Sequence, residues 1–375
     1  MTSPDDALPA GRPTVDAAVE APWDPAAFRA RVQRALDDFL TEQADRLAPL
    51  GADAERLLAE ARDGVGGGKR LRAAFCYWGY HAVAPHPSPA EEQALVRACA
   101  SLELLHASAL VHDDLMDASD TRRGRAATHR GFAAEHRAHA WPGNPEQYGA
   151  AAAILLGDLL LAWADELLRR CGLPWERVAA ALEVFDACRS EVITGQFLDV
   201  SVQARGRADV DAAMTVLRYK SAKYSVERPL HIGAALAGAT PGQLAELGAF
   251  GLPLGEAFQL RDDLLGVFGD PASTGKPAGD DLVEGKRTVL VALALDTAPP
   301  EAAAELDAAL GTPLDAAGVD RLRAIIDASG AHAQVEGAIT ALAERAEAAL
   351  DRADVDHRAR GVLRDLAAAT THRAV

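Results

Sequence analysis

Apolar residues recur at helical spacing along almost the whole chain from residue 26 onward. In the first such stretch every fourth residue from Phe28 to Leu40 is apolar, which places these side chains on one face of a helix. The longest further stretches with this spacing are residues 92–117, 147–170, 176–203 and 241–268. Strict alternation of β-branched and aromatic residues, which is typical of strands, is absent. The pattern therefore predicts an all-α bundle.

The domain organisation follows from what separates these stretches. Gly and Pro clusters lie between them, and neither a repeat nor a long linker divides the chain. We therefore expect one large helical domain over residues 26–375. Residues 1–25 mix Pro, Asp and Ala without periodicity and are predicted to be a disordered leader; they lack the features of a secretory signal. Residues 131–147 are predicted to form a surface loop.

The composition is acidic, with 55 Asp and Glu residues against 38 Lys and Arg residues and a formal net charge of -17. Such a surface repels a phosphate backbone, so we expect no nucleic-acid partner. The longest apolar stretch, residues 150–164, is broken by Asp158 and is shorter than the roughly 20 residues of a membrane span, so no transmembrane segment is predicted. The four cysteines are widely spaced, which fits a reducing compartment; we expect a cytoplasmic protein.

Three aspartates, Asp113, Asp114 and Asp117, close a long apolar stretch in the sequence LVHDDLMD. Residues four apart share a helical face, so Asp113 and Asp117 project side by side, with Asp114 about 100° around the helix. Like charges at this spacing destabilise a helix by a few tenths of a kcal/mol. Mg²⁺, which prefers oxygen ligands, would compensate them. For an isolated motif of this kind, an ordinary solvated acidic face is the alternative.

A second acidic pair, Asp262 and Asp263, follows another long apolar stretch in FQLRDDLLG. Gly266 stands where a carboxylate four residues after Asp262 would be, so we expect this cluster to bind metal less strongly than the first. Arg122 and Arg123 follow the first cluster, and such a pair can hold diphosphate oxygens through forked hydrogen bonds. Two acidic helices that face each other across a bundle cavity would combine these parts in one site.

A glycine-rich segment, VGGGKRLR, places Lys69, Arg70 and Arg72 at a predicted helix start. Backbone N–H groups and the helix dipole favour an anion there. The segment is not a P-loop, because Arg70 stands where that motif has Ser or Thr and Asp63 where it has its first glycine. Taken alone, a glycine-rich helix start with basic residues is more often an ordinary helix cap.

Six sequence elements, in their order and spacing, resemble those of the trans-isoprenyl diphosphate synthases, the polyprenyl synthetase family. They are GGGKRLR, ExxHxSxLVHDDLMDxSDTRRG, GQFLD, YKSAKY, FQLRDDLLG and GKPAGDDLVEGKRT. The resemblance covers about residues 28–365. It implies a helical bundle of the isoprenoid synthase type around a central apolar cavity. It also implies a transferase that condenses isopentenyl diphosphate with an allylic diphosphate (dimethylallyl, geranyl or farnesyl), elongates the chain and releases diphosphate.

The resemblance also implies roles for particular residues and a homodimer. Metal binding, with three Mg²⁺ ions, falls to Asp113, Asp114, Asp117, Asp262 and Asp263. The allylic diphosphate is expected to contact Arg122, Lys220, Ser221, Gln259 and Lys276. Isopentenyl diphosphate is expected to contact Lys69, Arg72, His106 and Arg123. Gln196 and Asp199 are expected to support the site. The residues expected to act most directly in catalysis are Asp113, Asp117, Asp262, Lys220 and Arg122.

Product length is expected to depend on the residues that meet the growing tail. Leu105, Ser108 and Ala109 lie within two helical turns before Asp113, and an isoprene unit is about as long as one turn, about 5.4 Å. In the resembled family an aromatic residue just before the first cluster shortens the product. The small residues at 108 and 109 therefore predict C20 geranylgeranyl diphosphate, with C15 and with C25 or longer products as alternatives.

Two other functional classes remain open from the sequence. A class I terpene cyclase also uses an aspartate-rich helix and Mg²⁺, but the chain has no second motif of the form Asn-x-x-x-Ser-x-x-x-Glu. A non-catalytic synthase subunit is expected to have lost the first aspartate cluster or the Arg122-Arg123 pair, and this chain retains both.

Overall fold

The structure is a computed structural model that describes residues 22–206, 209–269 and 279–371. The first helices are α1 (Pro25–Leu47), α2 (Ala52–Gly64), α3 (Leu71–Val83) and α4 (Pro89–Met116), with a 3-10 turn at Ala48–Leu50. A hairpin of β1 (Thr121–Arg122) and β2 (Arg125–Ala126) precedes α5 (Thr128–Ala138), α6 (Pro145–Arg169) and α7 (Trp175–Arg205).

The second part of the chain is also helical. Its elements are α8 (Val210–Val216), a π-helix (Leu217–Glu227), α9 (Arg228–Ala237) and α10 (Pro241–Phe268). They are followed by α11 (Asp280–Val283), α12 (Val289–Thr297), α13 (Pro300–Ala309), α14 (Ala316–Ala328), α15 (Ala331–Arg352) and α16 (His357–Thr371). The predicted all-α class is confirmed. The predicted leader over residues 1–25 falls almost wholly outside the described residues.

The two helices that carry the aspartate clusters have well-defined starts. Ser88 caps α4, and its side chain and that of Glu91 form a reciprocal capping box before Pro89 at the first helical position. Thr240 and Gln243 form the same arrangement at the start of α10. These caps fix where α4 and α10 begin, and both helices then match the predicted stretches closely.

Helix α4 lies at the centre of the protein. It is the one helix in the described ranges that is long and apolar enough to cross a bilayer, but 78% of its most apolar stretch is buried within the fold. Its side chains pack with those of α1, α3, α6, α7 and α9 in one apolar core. Helix α10 joins that core to a second one, built with α8, α12, α14 and α15. The aspartate clusters therefore lie on rigid, buried helices.

The predicted surface loop over residues 131–147 is wrong for its first half, which belongs to α5. Phe132, Ala133 and His136 of this helix are buried, at positions that share one helical face. Its packing against α6 is close, because a Cβ added at Gly149 would lie 2.1 Å from the carbonyl oxygen of His129. The connection between α5 and α6 is therefore limited to residues 139–144.

The hairpin after α4 brings the chain back towards the first aspartate cluster. Thr121 pairs with Ala126 and Arg122 with Arg125, so Arg123 and Gly124 form a two-residue turn. Both turn residues have positive φ, 51° and 75°, as the hairpin turn that matches strand twist requires. The turn thereby places Arg122 beside the helix end that it follows in sequence.

Candidate active site

A cavity of about 770 Å³ opens between α3, α4, α7, the π-helix, α10 and the segment from α11 to α12. Its lining includes eleven of the residues singled out from the sequence, namely Lys69, Arg72, His106, Asp113, Arg122, Asp199, Lys220, Ser221, Gln259, Asp262 and Asp263. Most of the predicted site thus converges on one cavity. Lys276 lies outside the described residues.

Asp113 is the most highly connected carboxylate of the first cluster. It accepts a hydrogen bond from Nε2 of Gln196 at 3.0 Å, and Nζ of Lys220 lies 3.3 Å away. Burial raises the pKa of Asp113, but Lys220, Lys286 and Arg122 outweigh burial, so its net pKa is lowered. This carboxylate is therefore ionised and fixed in place by cationic and amide donors.

Asp114 and Asp117 have different surroundings. Asp114 is buried, with 3% of the residue exposed, and accepts a hydrogen bond from Nε of Arg122 at 2.8 Å. It therefore orients Arg122, and its predicted role as a direct metal ligand stays a prediction. Burial and repulsion from Asp113 raise the pKa of Asp117 to about 6. The negative charge at the end of α4 is incompletely compensated by the protein itself.

The glycine-rich segment divides its basic residues between two tasks. Arg70 caps the start of α3 in the left-handed conformation and points inward, where its guanidinium pairs with Glu103 at 2.8 Å in a buried salt bridge. Lys69 and Arg72 line the cavity. Arg70 therefore stabilises the fold, whereas its two neighbours can meet an anion.

Arg123 and His106 lie among these cations. Arg123 donates to the carbonyl oxygen of Gly66 at 3.0 Å, and burial together with Arg70 lowers the pKa of Arg123. Burial and the nearby Arg72 lower the pKa of His106 well below its ordinary value, so its ring is neutral. Lys69, Arg72 and Arg123, gathered around a neutral imidazole, favour an anionic ligand.

Lys220 and Ser221 reach the cavity from the π-helix. Nζ of Lys220 lies 2.6 Å from Oδ2 of Asp199 and bridges it to Asp113. Burial lowers the pKa of Lys220, but the two carboxylates outweigh burial and raise its net pKa. Gln196 and Asp199 of α7 thus contact Asp113 and Lys220, and their supporting role in the reaction stays a prediction.

Two residues of the same π-helix were missed by the sequence analysis. The hydroxyl group of Tyr224 lies 2.9 Å from Nδ1 of His106, and Oγ of Ser225 accepts a hydrogen bond from Arg72 at 2.9 Å. The guanidinium of Arg72 also stacks over the Tyr224 ring, 4.3 Å from its centre. The signal in the sequence was that Tyr224 ends the YKSAKY element and that Ser225 directly follows it.

The second aspartate cluster lies at the other wall of the cavity, where Asp263 is buried and Asp262 is half-buried. Nε2 of Gln259 donates to Asp263 at 2.8 Å. Burial and the carboxylates of Asp281 and Asp262 raise the pKa of Asp263 to about 8. A Cβ added at Gly266 would lie only 1.9 Å from Oδ2 of Asp281. The absent side chain at position 266 therefore leaves room for a carboxylate that arrives from α11.

Lys286 connects the two walls. Its Nζ lies 3.2 Å from Asp281, 2.5 Å from Glu284 and 4.0 Å from Asp117. Asp281, Glu284 and Lys286 were not among the predicted site residues, although the GKPAGDDLVEGKRT element contains them. The signal available in the sequence was the close spacing of these acidic and basic residues.

The predicted product-length residues lie together on α4 but face different neighbours. Leu105 and Ser108 are buried, and Oγ of Ser108 donates to the carbonyl oxygen of Gly157 on α6 at 2.7 Å. Ala109 is only half-buried. Ser108 is thus committed to the contact between α4 and α6, whereas Ala109 is more open.

The residues of the two clusters suit a hard divalent cation. Their donors are carboxylate oxygens, and the raised pKa values of Asp117 and Asp263 reflect negative charge that a cation would neutralise. Within the described ranges, no three His, Cys, Asp or Glu side chains are gathered closely enough to hold a metal ion by themselves. Mg²⁺ retains several waters and takes further ligands from substrate phosphates, so protein carboxylates supply only part of its coordination.

Comparison with known proteins places this site in context. Residues 55–328 match the polyprenyl synthetase family. The geranylfarnesyl diphosphate synthase of Aeropyrum pernix is 33% identical over 318 residues, which cover 84% of this chain and 90% of that protein. A geranylgeranyl diphosphate synthase of Mycobacterium tuberculosis is 35% identical over 254 residues, which cover 65% of this chain and 67% of that protein.

A solved structure is similar over nearly the whole chain. It is the geranylgeranyl pyrophosphate synthase of Corynebacterium glutamicum, in complex with isoprenyl diphosphate and magnesium. It is 42% identical, has a TM-score of 0.91, and the match covers 94% of this chain and 100% of that one. The relatives therefore include enzymes named for different product lengths.

Proposed function

This chain belongs to the polyprenyl synthetase family and is a chain-elongating prenyl diphosphate synthase, and we propose that it is a Mg²⁺-dependent enzyme whose main product is C20 geranylgeranyl diphosphate. The proposed reaction joins isopentenyl diphosphate to an allylic diphosphate, with dimethylallyl, geranyl or farnesyl diphosphate as primer. Diphosphate is released at each addition. We further propose cytoplasmic catalysis by a single domain from residue 26 onward.

The observation that carries the proposal is that one cavity combines residues of both aspartate clusters with two groups of basic residues. Asp113 of α4 and Asp262 of α10 line it, together with Arg122 and Lys220. Lys69, Arg72 and His106 line it as well, and with Arg123 they form a second basic group. Two diphosphates can therefore be bound close together, one with metal and one without.

The residues of this chain would act on charge and position. Bound Mg²⁺, held by Asp113, Asp117 and Asp262, would supply positive potential where negative charge develops on the departing diphosphate. Arg122, Lys220, Ser221 and Gln259 would hold that diphosphate while the C–O bond of the allylic substrate breaks. We propose Lys276 for the same role from its sequence element alone.

The second basic group would hold isopentenyl diphosphate with its double bond towards the allylic carbon. The terminal carbon of that double bond forms the new C–C bond to the allylic carbon, which leaves positive charge on the other carbon of the double bond. A proton then passes from the CH2 group next to this carbon to the released diphosphate, and the electron pair of the broken C–H bond becomes the new double bond. Leu110, Leu217 and Leu265 line the cavity and would exclude water that could trap the carbocation.

Support for a C20 product comes from the helix that precedes the first cluster. Positions 108 and 109 carry small side chains, so neither blocks a tail beyond C15. The similar Corynebacterium glutamicum structure is of a geranylgeranyl pyrophosphate synthase, but the Aeropyrum pernix relative is named for a C25 product. We therefore propose C20 as the main product and C25 as the principal alternative.

We also propose a homodimer formed through α6 and α7. These helices expose large apolar side chains, with 62% of Leu155 and 68% of Phe197 accessible, together with Ile154 and Ile193. Such side chains on adjacent helices are typical of a protein interface. Sedimentation equilibrium of the wild type and of Phe197→Glu tests this: a dimer that becomes monomeric in the variant is expected, and a monomeric wild type would refute it.

The proposed reaction is tested by incorporation of radiolabelled isopentenyl diphosphate. Label should enter an acid-labile allylic product only when both a primer and Mg²⁺ are present, and excess EDTA should abolish it. Release of a hydrocarbon from the primer without isopentenyl diphosphate would instead identify a cyclase. No incorporation with any primer would refute the synthase proposal.

A further inference from the structure

The π-helix at Leu217–Glu227 serves both proposed diphosphate subsites. Lys220 and Ser221 line the cavity from its first half. In its second half, Tyr224 contacts His106 and Ser225 accepts a hydrogen bond from Arg72. One segment of backbone therefore carries residues proposed for the allylic diphosphate and holds residues proposed for isopentenyl diphosphate. A shift of this segment would disturb both groups.

The conformation of the segment is unusual in itself. A π-helix mostly occurs as a single-turn insertion within an α-helix and is frequent at functional sites, whereas here it extends over 11 residues. It continues directly from α8 and into α9, with no loop on either side. Its position therefore depends on the helices that pack against it. Those neighbours are mainly α7 and α10.

Two glycines allow α7 and α10 to approach the π-helix backbone from the flanks of Lys220 and Ser221. A Cβ added at Gly195 of α7 would lie 2.4 Å from the backbone nitrogen of Lys220 and 2.6 Å from the carbonyl carbon of Tyr219. A Cβ added at Gly255 of α10 would lie 2.4 Å from the carbonyl oxygen of Ala222. All three distances are shorter than the contacts that Cβ atoms make in proteins, so any side chain at these positions must displace the backbone.

Neither glycine is required by its own backbone conformation, because both lie within regular helices and neither has a positive φ. A glycine inside a helix is destabilising relative to alanine, because it loses more backbone freedom on folding. The presence of glycine at positions 195 and 255 is therefore explained by the close approach of α7 and α10 to the π-helix.

We propose that Gly195 and Gly255 are positioning residues for the reaction. They let α7 and α10 clamp the π-helix at the depth from which Lys220 and Ser221 reach one diphosphate while Tyr224 and Ser225 hold His106 and Arg72 at the other. The inference rests on the proposed function, since it assigns the two groups to two substrates. A methyl group at either glycine moves the segment as a unit and weakens binding of both substrates in parallel.

The test compares Gly195→Ala and Gly255→Ala with a matched control, Gly149→Ala. Gly149 is also a buried helical glycine, and its added Cβ would lie 2.1 Å from a carbonyl oxygen, but its contact joins α5 and α6 away from the cavity. All three variants should lower Tm by similar amounts. The KM values for the allylic substrate and for isopentenyl diphosphate should both rise tenfold or more in Gly195→Ala and Gly255→Ala, and stay within twofold in Gly149→Ala.

Unchanged KM values in folded Gly195→Ala and Gly255→Ala would overturn the inference, as would an equal rise in the control. If the two variants do not fold, Tyr224→Phe tests the same arrangement, because it removes only the hydroxyl group that contacts His106. Its KM for isopentenyl diphosphate should rise severalfold, whereas its KM for the allylic substrate should stay unchanged. A variant whose two KM values both equal those of the wild type would overturn the inference. A wild type without prenyl transfer would refute the proposed function instead.

Discussion

Oδ2 of Asp281 lies where a side chain at Gly266 would begin, 1.9 Å from the position of an added Cβ. The sequence shows a second aspartate cluster that lacks its last carboxylate, whereas the structure shows a carboxylate from α11 in the adjacent space. Asp281 also lies 3.2 Å from Lys286, which holds it there. A carboxylate from another element thus occupies the space beside Gly266, and the weaker metal binding expected of this cluster stays a prediction.

Gly266→Asp should therefore impair the enzyme, although it restores the missing aspartate. The new side chain collides with Asp281 and adds negative charge beside Asp263, whose pKa is already raised to about 8. Overpacking of this kind destabilises by about 1–3 kcal/mol. Tm and the Mg²⁺ dependence of activity are the measurements. An unchanged Tm together with a higher apparent affinity for Mg²⁺ would show that position 266 is open after all.

Asp114→Asn should reduce activity through Arg122. The substitution removes the negative charge that a largely buried guanidinium contacts directly and leaves it only the more distant Asp113, at 3.7 Å. The free energy of unfolding should therefore fall by about 1–3 kcal/mol and the KM for the allylic substrate should rise. Asp63→Asn is the control, because the Arg125–Asp63 pair is exposed and such pairs contribute about 1 kcal/mol or less. Urea unfolding and steady-state kinetics measure both. Equal effects of the two substitutions would contradict the account.

The stability of the metal-free protein should fall as pH rises from about 5 to 8.5. Burial and nearby carboxylates raise the pKa of Asp117 to about 6 and that of Asp263 to about 8, against about 3.9 for an unperturbed aspartate. Between these pH values the folded state binds protons that the unfolded state does not, so raising the pH through 6 to 8 removes stability.

Urea unfolding at pH 5 and pH 8.5 measures this effect. Asp263→Asn removes the group with the larger shift and should flatten the pH dependence. Mg²⁺ should reduce the loss at pH 8.5 in the wild type, because a cation favours the ionised carboxylates. A pH dependence that is identical in wild type and variant would contradict the role given to Asp263.

Ala109→Phe should shorten the product towards C15. Ala109 is half-buried and lies one turn before Asp113, where a phenyl ring would meet the growing tail. Ser108→Phe is the informative comparison, because Ser108 is bonded to the Gly157 carbonyl and a large side chain there must separate α4 from α6. Ser108→Phe should therefore mainly lower Tm. A product profile that does not change in Ala109→Phe would show that the tail runs elsewhere.

Much of this arrangement could be predicted because it depends on local spacing. Apolar periodicity identified the long helices, and the position of Asp113 and Asp262 near the ends of two of them followed from the same pattern. The charge of Lys69, Arg72 and Lys220 was visible in the sequence, and the cavity contains all three.

The parts that were missed depend on contacts between distant segments. Nothing in the residues of YKSAKY distinguishes a π-helix from an α-helix, so the roles of Tyr224 and Ser225 were not predicted. The meeting of Gly266 with Asp281 depends on how α11 packs against α10. Arg70 was grouped with the phosphate-binding candidates on its sequence position. It instead forms a salt bridge with Glu103, because both side chains become buried when α3 packs against α4.

The most direct test of the account is product analysis of the wild-type enzyme. Purified protein is incubated with isopentenyl diphosphate, Mg²⁺ and dimethylallyl, geranyl or farnesyl diphosphate, and the dephosphorylated products are separated by chromatography against prenyl alcohol standards. All accepted primers should converge on geranylgeraniol as the main alcohol. Convergence on another length would contradict the C20 assignment. If none of the primers yields a prenyl alcohol longer than itself, chain elongation in this cavity is contradicted.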